Sequence, residues 1–314
     1  MKILAIVDGH IGGTGEFFAR AALAGARDCG AEVQLVNLRT LKLGPCTGCG
    51  GCGKNRKSFE RGNCVQDDDM NWLDEQYLSS DGVIVVAPCY ESSPPSGLKL
   101  LCDRIGPSHD LVMMRQMSDK LEAEGKPGAD PRWFIDRPVA YISHGGSEWT
   151  TLGLPIMQLI AVPISLRVVD KVTFSFNFYS VLHEGAEERA RELGRHVAEN
   201  CGKSGKEMRY YGDEGHCPVC HNNVMVLGER ADDVTCSVCG VRGRLSVEDG
   251  KIRVAYTEEE LRRSHVTWTG KVFHAMDMQA QGNQKMNLTD EEKKTISEKI
   301  RASAADASIP RSRP

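Results

Sequence analysis

The feature that most constrains the fold is a regular alternation of short apolar runs and amphipathic stretches through residue 205. The apolar runs are rich in valine and isoleucine, and they cover residues 3–7, 33–36, 83–88, 139–143 and 166–174. Segments with helical periodicity lie between them, and a long charged connection runs from about 107 to 135. Continuous Val/Ile runs are typical of strands covered on both faces by helices. The alternation therefore predicts an α/β fold with a doubly wound, parallel sheet of about five strands.

Composition restricts the partners of the chain. It has 314 residues, of which 40% are hydrophobic, and its formal net charge is −4. This charge gives no reason to expect binding to nucleic acid or to an anionic membrane. The apolar run at the N-terminus ends at Asp8, which makes it too short for a signal peptide core or a membrane span. We therefore expect a cytoplasmic protein that acts on neither membranes nor nucleic acids.

Four cysteines crowd the stretch PCTGCGGCGKNRKSFERGNC at residues 45–64. Cys46, Cys49 and Cys52 have the spacing C-x2-C-x2-C, and Cys64 follows at a distance. Such a spacing suits three corners of a [4Fe–4S] cluster with a more distant fourth thiolate. A loop of this length is usually functional or disordered. The residues alone leave a cluster, cluster-free thiols, a zinc ion and a redox disulfide as alternatives.

A second cysteine set predicts a separate metal module. Cys217, Cys220, Cys236 and Cys239 form CPVC-x15-CSVC, a pattern in which four thiolates meet one metal at the knuckles of a short ribbon. Residues 213–255 contain no Phe, Trp or Tyr, which favours zinc over a rubredoxin-like iron site. Acidic residues outnumber basic ones there, which argues against nucleic-acid binding. An architectural role is the prediction.

Three loops that follow predicted strands carry the candidate ligand-binding residues. Ligands of open α/β sheets lie outside the carboxyl ends of the strands. The first loop, 8–16, is rich in glycine and precedes a helix, where backbone N–H groups can bind phosphate; a flexible turn is the alternative. The second loop, 87–99, offers Tyr90 and serines to a planar ligand. The third, 143–149, combines paired glycines with His144 and Trp149. A single histidine or tryptophan more often has a structural role than a functional one.

At this point a family resemblance becomes specific. The segments GPCTGCGGC, CVQDDDM and VAPCYESSPPSGLKLLCDRIG resemble, in the same order, segments of the NADPH-dependent FMN reductase family, which has the flavodoxin-like fold. The resemblance implies FMN, with its phosphate in the first loop and its isoalloxazine ring against the other two. The cofactor residues that it implies are His10, Gly12, Gly13, Thr14, Gly15, Pro88, Cys89, Tyr90, Glu91, Ser92, Ser93, Ser143, His144, Gly145 and Gly146. The first loop is about two residues shorter than usual and lacks the Arg or Lys of that family.

The same resemblance extends to the cysteine loop and to the domain organisation. Iron–sulfur flavoproteins are a branch of this family with a compact cysteine motif that matches Cys46, Cys49, Cys52 and Cys64, so a [4Fe–4S] cluster is implied there. We predict a flavodoxin-like FMN domain over 1–205 with the cysteine loop inserted, a zinc-ribbon-like module over 212–257, and a helical, partly disordered tail over 258–314.

The leading functional hypothesis is an FMN-dependent oxidoreductase. FMN would accept a hydride from NAD(P)H or electrons from a reduced carrier, and a small molecule or redox carrier protein would take them up. Tyr90, His144 and Trp149 are predicted to shape the substrate pocket, with His144 as a candidate proton donor. The alternatives are a non-catalytic electron carrier or redox sensor, and a zinc-ribbon regulatory protein whose flavodoxin-like domain is empty. We expect a homo-oligomer, either a dimer or a tetramer.

Overall fold

The structure is a computed structural model that describes residues 1–49, 51 and 64–305, without the side chains of 107, 108, 177, 178, 184, 282–286, 304 and 305. The chain divides into two compact units, Met1–Lys271 and Val272–Pro314. Both the sheet and the cysteine ribbon belong to the first unit. The boundaries near 205, 212 and 257 stay predictions. Cys52 and the end of the tail, 306–314, lie outside the described residues.

A five-stranded parallel sheet forms the centre of the first unit, as the alternation of apolar runs predicts. Its strand order is β2-β1-β3-β4-β5. The strands are β1 (Lys2–Val7), β2 (Glu32–Asn37), β3 (Gly82–Pro88), β4 (Arg137–His144) and β5 (Leu166–Phe174). The helices that connect them are α1 (Thr14–Asp28), α2 (Met70–Leu78), α3 (Ser96–Ser108), α4 (Leu111–Ala123) and α5 (Gly153–Gln158). Two further helices follow β5, namely α6 (Asn177–Val181) and α7 (Glu184–Asn200). Each face of the sheet carries its own buried cluster, because successive side chains of a strand point to opposite faces.

Helix α1 packs so closely on α7 that glycine is required at the contact. A Cβ atom on Gly25 would lie 1.9 Å from the carbonyl oxygen of Arg191. On the other helix, a Cβ atom on Gly194 would lie 1.7 Å from the carbonyl oxygen of Ala22. The two backbones therefore touch directly. This contact fixes α1, and with it the glycine-rich loop at its N-terminus.

The cysteine ribbon is a small antiparallel sheet of four strands in sequential order. It comprises β6 (Met225–Leu227), β7 (Asp233–Cys236), β8 (Arg242–Glu248) and β9 (Lys251–Ala255). Gln158 at the end of α5 donates from Nε2 to the carbonyl oxygen of Cys220, at 2.7 Å. Lys171 of β5 donates to the carbonyl oxygen of His221. The ribbon is thus held against α5 and β5 at its metal knuckle.

Three helices complete the described part of the chain: α8 (Glu258–Arg262), α9 (Trp268–Met286) and α10 (Asp290–Ala305). Helix α10 begins with a capping box. The Thr289 hydroxyl accepts from the backbone N–H of Glu292 at 3.2 Å, while the Glu292 carboxylate accepts from the backbone N–H of Thr289 at 2.7 Å. Among the described helices, none is both long and apolar enough to cross a membrane.

Candidate functional site

The three candidate loops leave the carboxyl ends of β1, β3 and β4, which are adjacent strands, so the sheet brings them together. The backbone N–H of Cys89 donates to the carbonyl oxygen of His144 at 2.7 Å, which joins the second loop to the third. Gly15 brings the first loop to the same place, because a Cβ atom there would lie 3.1 Å from Nε2 of His144. Backbone contacts thus assemble one site from three separate segments.

The first loop is held in shape by two polar residues that the sequence analysis did not single out. The side-chain amide of Asn37, at the end of β2, donates to the carbonyl oxygen of Gly9 at 3.1 Å and to Glu16 at 2.9 Å. Both Asn37 and Glu16 are buried. The hydrogen bond from Asn37 is the main reason that the pKa of Glu16 lies below its usual value. Glu16 is therefore a carboxylate that braces the loop from inside.

The N-terminus of α1 remains available to an anion. Its N-cap residue, Gly13, has an extended backbone, and no described side chain caps the helix there. The first N–H groups of a helix have no partner within the helix, and the helix dipole favours negative charge at that end. Gly12 has φ of 73°, a conformation that other residues adopt at a cost. An uncapped helix start after a glycine turn fits a phosphate group.

The second loop contains a strained two-residue turn. Tyr90 and Ser93 exchange backbone hydrogen bonds of 2.7 and 3.1 Å. Between them, Glu91 and Ser92 have φ of 49° and 66°. A turn with positive φ at both central positions normally uses glycine or asparagine, and such strain concentrates at functional sites. The turn holds the Tyr90 ring half-exposed, with 52% of its surface accessible.

Side chains reinforce the link between the second and third loops. Just after the third loop, the hydroxyl of Thr151 lies 2.8 Å from the Ser92 hydroxyl, and the backbone N–H of Leu152 donates to the carbonyl oxygen of Ser92 at 3.0 Å. Cys89 Sγ lies 3.2 Å from the hydroxyl of Ser143. The second and third loops therefore form one rigid wall, which suits a flat ring system such as isoalloxazine.

His144 and Trp149 occupy very different places in the third loop. His144 is buried, with 4% of its surface accessible, and it packs near the ring of Phe18 at a centroid distance of 6.0 Å. Burial lowers its pKa to about 4, so the imidazole is neutral at physiological pH. Trp149 is 61% exposed. The structure thus places Tyr90 and Trp149 at the surface of the site and His144 beneath its wall.

The ribbon cysteines form a complete metal-binding group. The sulfur atoms of Cys217, Cys220, Cys236 and Cys239 all lie within 4.8 Å of one another, and all four residues are buried. His221 and Gly240, each directly after a CxxC pair, have φ of 55° and 77° and so close the two knuckles. This arrangement matches the tetrahedral four-cysteine sites that bind zinc, and iron in rubredoxin-like proteins has the same geometry. The metal-binding prediction for these four residues agrees with the structure, and the choice of metal stays open.

The predicted cluster loop is described only in part, because Cys52 lies outside the described residues. Cys46 and Cys49 are exposed and Cys64 is half-buried. Near the loop's ends, the backbone N–H of Gly44 donates to Asp68 at 3.0 Å. The cluster assignment therefore stays a prediction, and the contacts that the structure describes lie at the base of the loop.

A buried arginine of α3 clamps that base. Arg104 donates to both oxygens of Asp68, at 2.6 and 2.9 Å, and to the carbonyl oxygen of Gly44, at 2.8 Å. Its guanidinium also interacts with Cys64. Burial alone would raise the pKa of Asp68, but the hydrogen bonds from Arg104 and Gly44 outweigh it and lower the pKa to about 2. Arg104 holds a positive charge beside a predicted cluster ligand.

This clamp predicts a pH-dependent stability. Because the folded-state pKa of Asp68 lies below its unfolded value of 3.8, its stabilisation is present above about pH 4 and is lost as the pH falls through about 2. We expect this contribution to be about 2 kcal/mol. Asp68→Asn should lose it near neutral pH, and urea unfolding of both proteins between about pH 7 and pH 2 measures the difference. Glu75→Gln, which opens an exposed pair with Arg132, is the control and should cost under about 1 kcal/mol. Equal curves for wild type and Asp68→Asn would contradict the assignment.

Comparisons with known proteins identify the family of this chain. Residues 1–179 match the model of the family described as NADPH-dependent FMN reductase. A protein named flavone synthase cfoJ from Aspergillus candidus is 29% identical over 296 residues, which cover 89% of each chain. An iron-sulfur flavoprotein from Methanosarcina thermophila is 38% identical over 84 residues, 27% of this chain and 41% of that protein. A solved structure described as flavone reductase is 27% identical with a TM-score of 0.84, and the match covers 100% of both chains. The chain therefore belongs to the NADPH-dependent FMN reductase family and is a flavin-dependent oxidoreductase.

Proposed function

We propose that this protein is an FMN-dependent reductase that takes electrons from NAD(P)H and delivers them to a planar aromatic acceptor of the flavone class. The observation that carries the proposal is that the second and third loops, which carry the exposed residues Tyr90 and Trp149, are joined to each other and meet the uncapped start of α1 where His144 approaches Gly15. A flat cofactor and a flat substrate both suit such a site.

The cofactor residues follow from this arrangement. We assign the phosphate to the backbone N–H groups of Thr14 and Gly15 and to the Thr14 hydroxyl. Gly12 and Gly13 shape the turn, since the N–H of Gly13 donates to the carbonyl oxygen of His10 at 3.0 Å, and His10 lies at the exposed rim of the same loop. The ring is assigned to the backbone of 88–93 and 143–146. FMN, once bound, supplies the hydride chemistry. The chain's part is to hold the ring against a rigid wall and to keep water from its face.

His144 is assigned a positioning role instead of proton transfer. Its imidazole is neutral and buried, and its backbone carbonyl accepts the N–H of Cys89. A buried neutral ring that touches Gly15 orders both the phosphate loop and the ring wall. Tyr90 and Trp149, which are exposed, are the residues that we assign to substrate contact.

The substrate class is supported by the names of two similar proteins, one a flavone synthase and the other a flavone reductase. A flavone and its dihydro form differ by two hydrogens across one carbon–carbon double bond conjugated to a carbonyl. That double bond accepts a hydride at one carbon and a proton at the other. Aromatic stacking on Tyr90 and Trp149 would hold the flat ring system against the flavin.

Two metal sites complete the proposal. We assign zinc to the ribbon cysteines, since the spacing CPVC-x15-CSVC is typical of structural sites in which four thiolates bind one zinc ion. We assign a [4Fe–4S] cluster to Cys46, Cys49, Cys52 and Cys64, supported by their spacing and by the likeness to iron-sulfur flavoproteins. A dimer or tetramer also stays our prediction, to be checked by light scattering.

The function is tested by anaerobic turnover with the full chain. We expect one noncovalent FMN per chain, and oxidation of NADH or NADPH that depends on added flavone and yields the dihydro product. Trp149→Ala should raise KM for the flavone by about tenfold, because a stacking surface is worth roughly 1–1.5 kcal/mol. Trp72→Ala is the matched control, as Trp72 is also exposed but belongs to α2.

The results of these assays distinguish a flavone reductase from a non-catalytic electron carrier or redox sensor. A flavin that NAD(P)H reduces, without turnover of flavone or a quinone, would favour the electron carrier or redox sensor. Protein without any acid-releasable flavin would contradict the function itself. Iron and acid-labile sulfide in anaerobically purified protein test the cluster independently, because these measurements involve no turnover.

A further inference from the structure

A cavity of about 600 Å³ lies away from the flavin loops, between the sheet and the cysteine ribbon. Its β5 residues, 166–168, stand at the amino end of the strand, whereas the flavin loops follow carboxyl ends. We call it the ribbon cavity, and the residues that define its chemistry are Tyr141, Gln158, Arg167, Lys206, Val219 and Val238. Its volume falls in the range of sites for drug-sized ligands.

Two buried polar atoms on its lining lack partners. Tyr141 has 0% and Gln158 has 2% of its surface accessible. Within the described part of the chain, neither the hydroxyl of Tyr141 nor Oε1 of Gln158 has a hydrogen-bond partner. A buried polar atom left without a partner costs about 1–3 kcal/mol, so such atoms normally have one. Both atoms point to a ligand that supplies the missing hydrogen bonds.

The Tyr141 hydroxyl and Oε1 of Gln158 determine which chemical group of a ligand can lie beside them. Nε2 of Gln158 is committed to the carbonyl oxygen of Cys220, which leaves Oε1 as an acceptor. Burial raises the pKa of Tyr141 well above its usual value, so its hydroxyl stays protonated and can donate or accept. A hydroxyl group satisfies both partners, since it donates to an amide oxygen and accepts from a phenol.

The apolar and the charged residues of the cavity lining restrict the chemistry of the rest of the ligand. Val219 and Val238 of the ribbon and Val168 of β5 line the cavity, which gives it apolar walls. Arg167 and the exposed Lys206 also line the cavity, together with one carboxylate, Asp136, which pairs with Arg167 at 3.4 Å. These three side chains together carry one net positive charge, which attracts an anion.

We propose that the ribbon cavity is a second small-molecule site, separate from the flavin site, that binds a hydroxylated aromatic carboxylate. The hydroxyl end lies at Tyr141 and Gln158, and the carboxylate lies at Lys206. Because Gln158 also holds the carbonyl of Cys220, an occupant ties the sheet to the metal knuckle. The site goes beyond the proposed reductase activity and does not depend on it.

The test uses two probes that differ by one hydroxyl: biphenyl carboxylate, and its analogue with a hydroxyl at the opposite end. Calorimetric titration of the full, metal- and FMN-loaded chain should give one site per chain. The hydroxylated probe should bind about tenfold more tightly, as expected for a pair of new hydrogen bonds at a buried site. Tyr141→Phe, which removes only the unpartnered hydroxyl, should reduce this preference to below about threefold.

Two further measurements test the charged part of the cavity and its separation from the flavin site. Lys206→Ala changes an exposed residue and should weaken both probes to a similar extent, by about two- to fivefold. Turnover of NAD(P)H by Tyr141→Phe should equal that of the wild type, because Tyr141 belongs to no flavin loop. The proposal is overturned by the absence of saturable binding, by an unchanged preference in Tyr141→Phe, or by probe binding that flavone displaces competitively.

Discussion

Replacement of Cys236 with alanine is expected to remove the ribbon metal and to unfold the ribbon. The four sulfur atoms lie within 4.8 Å of one another in a buried group, so three remaining ligands leave an open and weakened site. Structural zinc contributes folding free energy on the order of 10 kcal/mol in small modules. The ribbon has short strands and an exposed β8–β9 hairpin, so without the metal it keeps only the contacts of buried residues near the knuckle, such as Val238 and Val241, with the cluster of the large sheet. Metal analysis and hydrogen exchange of residues 225–255 measure both effects.

The matched control is Cys29→Ala. Cys29 is exposed at the end of α1 and belongs to neither cysteine set. This variant should keep the metal and the unfolding profile of the wild type. A visible iron chromophore that disappears in Cys236→Ala would correct the zinc assignment to iron. Full metal content in that variant would contradict the four-ligand site itself.

The sheet was predictable from sequence because each strand is buried on both faces and so reads as a continuous apolar run. Helix α4 was missed, since the charges of residues 107–135 suggested a connection without regular structure. A signal was present: the Asp110 side chain accepts from the backbone N–H of Met113 at 3.0 Å, which is an N-cap.

The three loops of the candidate site could be predicted from the sequence. The residues that hold these loops in place could not. Glycines and strand ends mark the loops locally. Asn37 and Arg104, by contrast, act on segments 28 and 36 residues away, on the carbonyl of Gly9 and on Asp68. No local pattern pairs such residues. The burial of His144 was equally hidden, because it results from the packing of α1 against the third loop.

The ribbon cysteines, unlike Asn37 and Arg104, follow a local sequence pattern. The CxxC spacings of the ribbon are local and fix the knuckles, so the four residues were predictable without tertiary information. The cavity beside them was not, because it arises between segments that are remote in sequence, β5 and the ribbon. Spacing predicts a site whose geometry is local, whereas a cavity depends on how whole elements pack.

The second large effect is expected at Gly153, where the second and third loops meet. A Cβ atom on Gly153 would lie 2.3 Å from the Ser143 hydroxyl and 2.6 Å from Cys89 Sγ. Both contacts are far shorter than van der Waals distance, and Ser143 is fully buried, so the two loops must separate. Overpacking of this kind costs about 1–3 kcal/mol. If the wall binds the isoalloxazine ring, Gly153→Ala should weaken FMN binding by about ten- to a hundredfold.

Fluorescence titration of apoprotein with FMN measures this effect, and a second substitution tests its cause. Ser143→Ala removes the shortest clash, so the double variant Ser143→Ala/Gly153→Ala should recover part of the lost affinity, as coupled neighbours do. Gly185→Ala is the control, because a Cβ atom there meets nothing within 4 Å, and its affinity for FMN should not change. Wild-type affinity in Gly153→Ala would show that the flavin ring does not depend on this wall. Because the clash acts between the loops and leaves the helix start at Gly13 untouched, a loss of FMN affinity with intact folding assigns the ring, and not the phosphate, to the wall formed by Cys89 and Ser143.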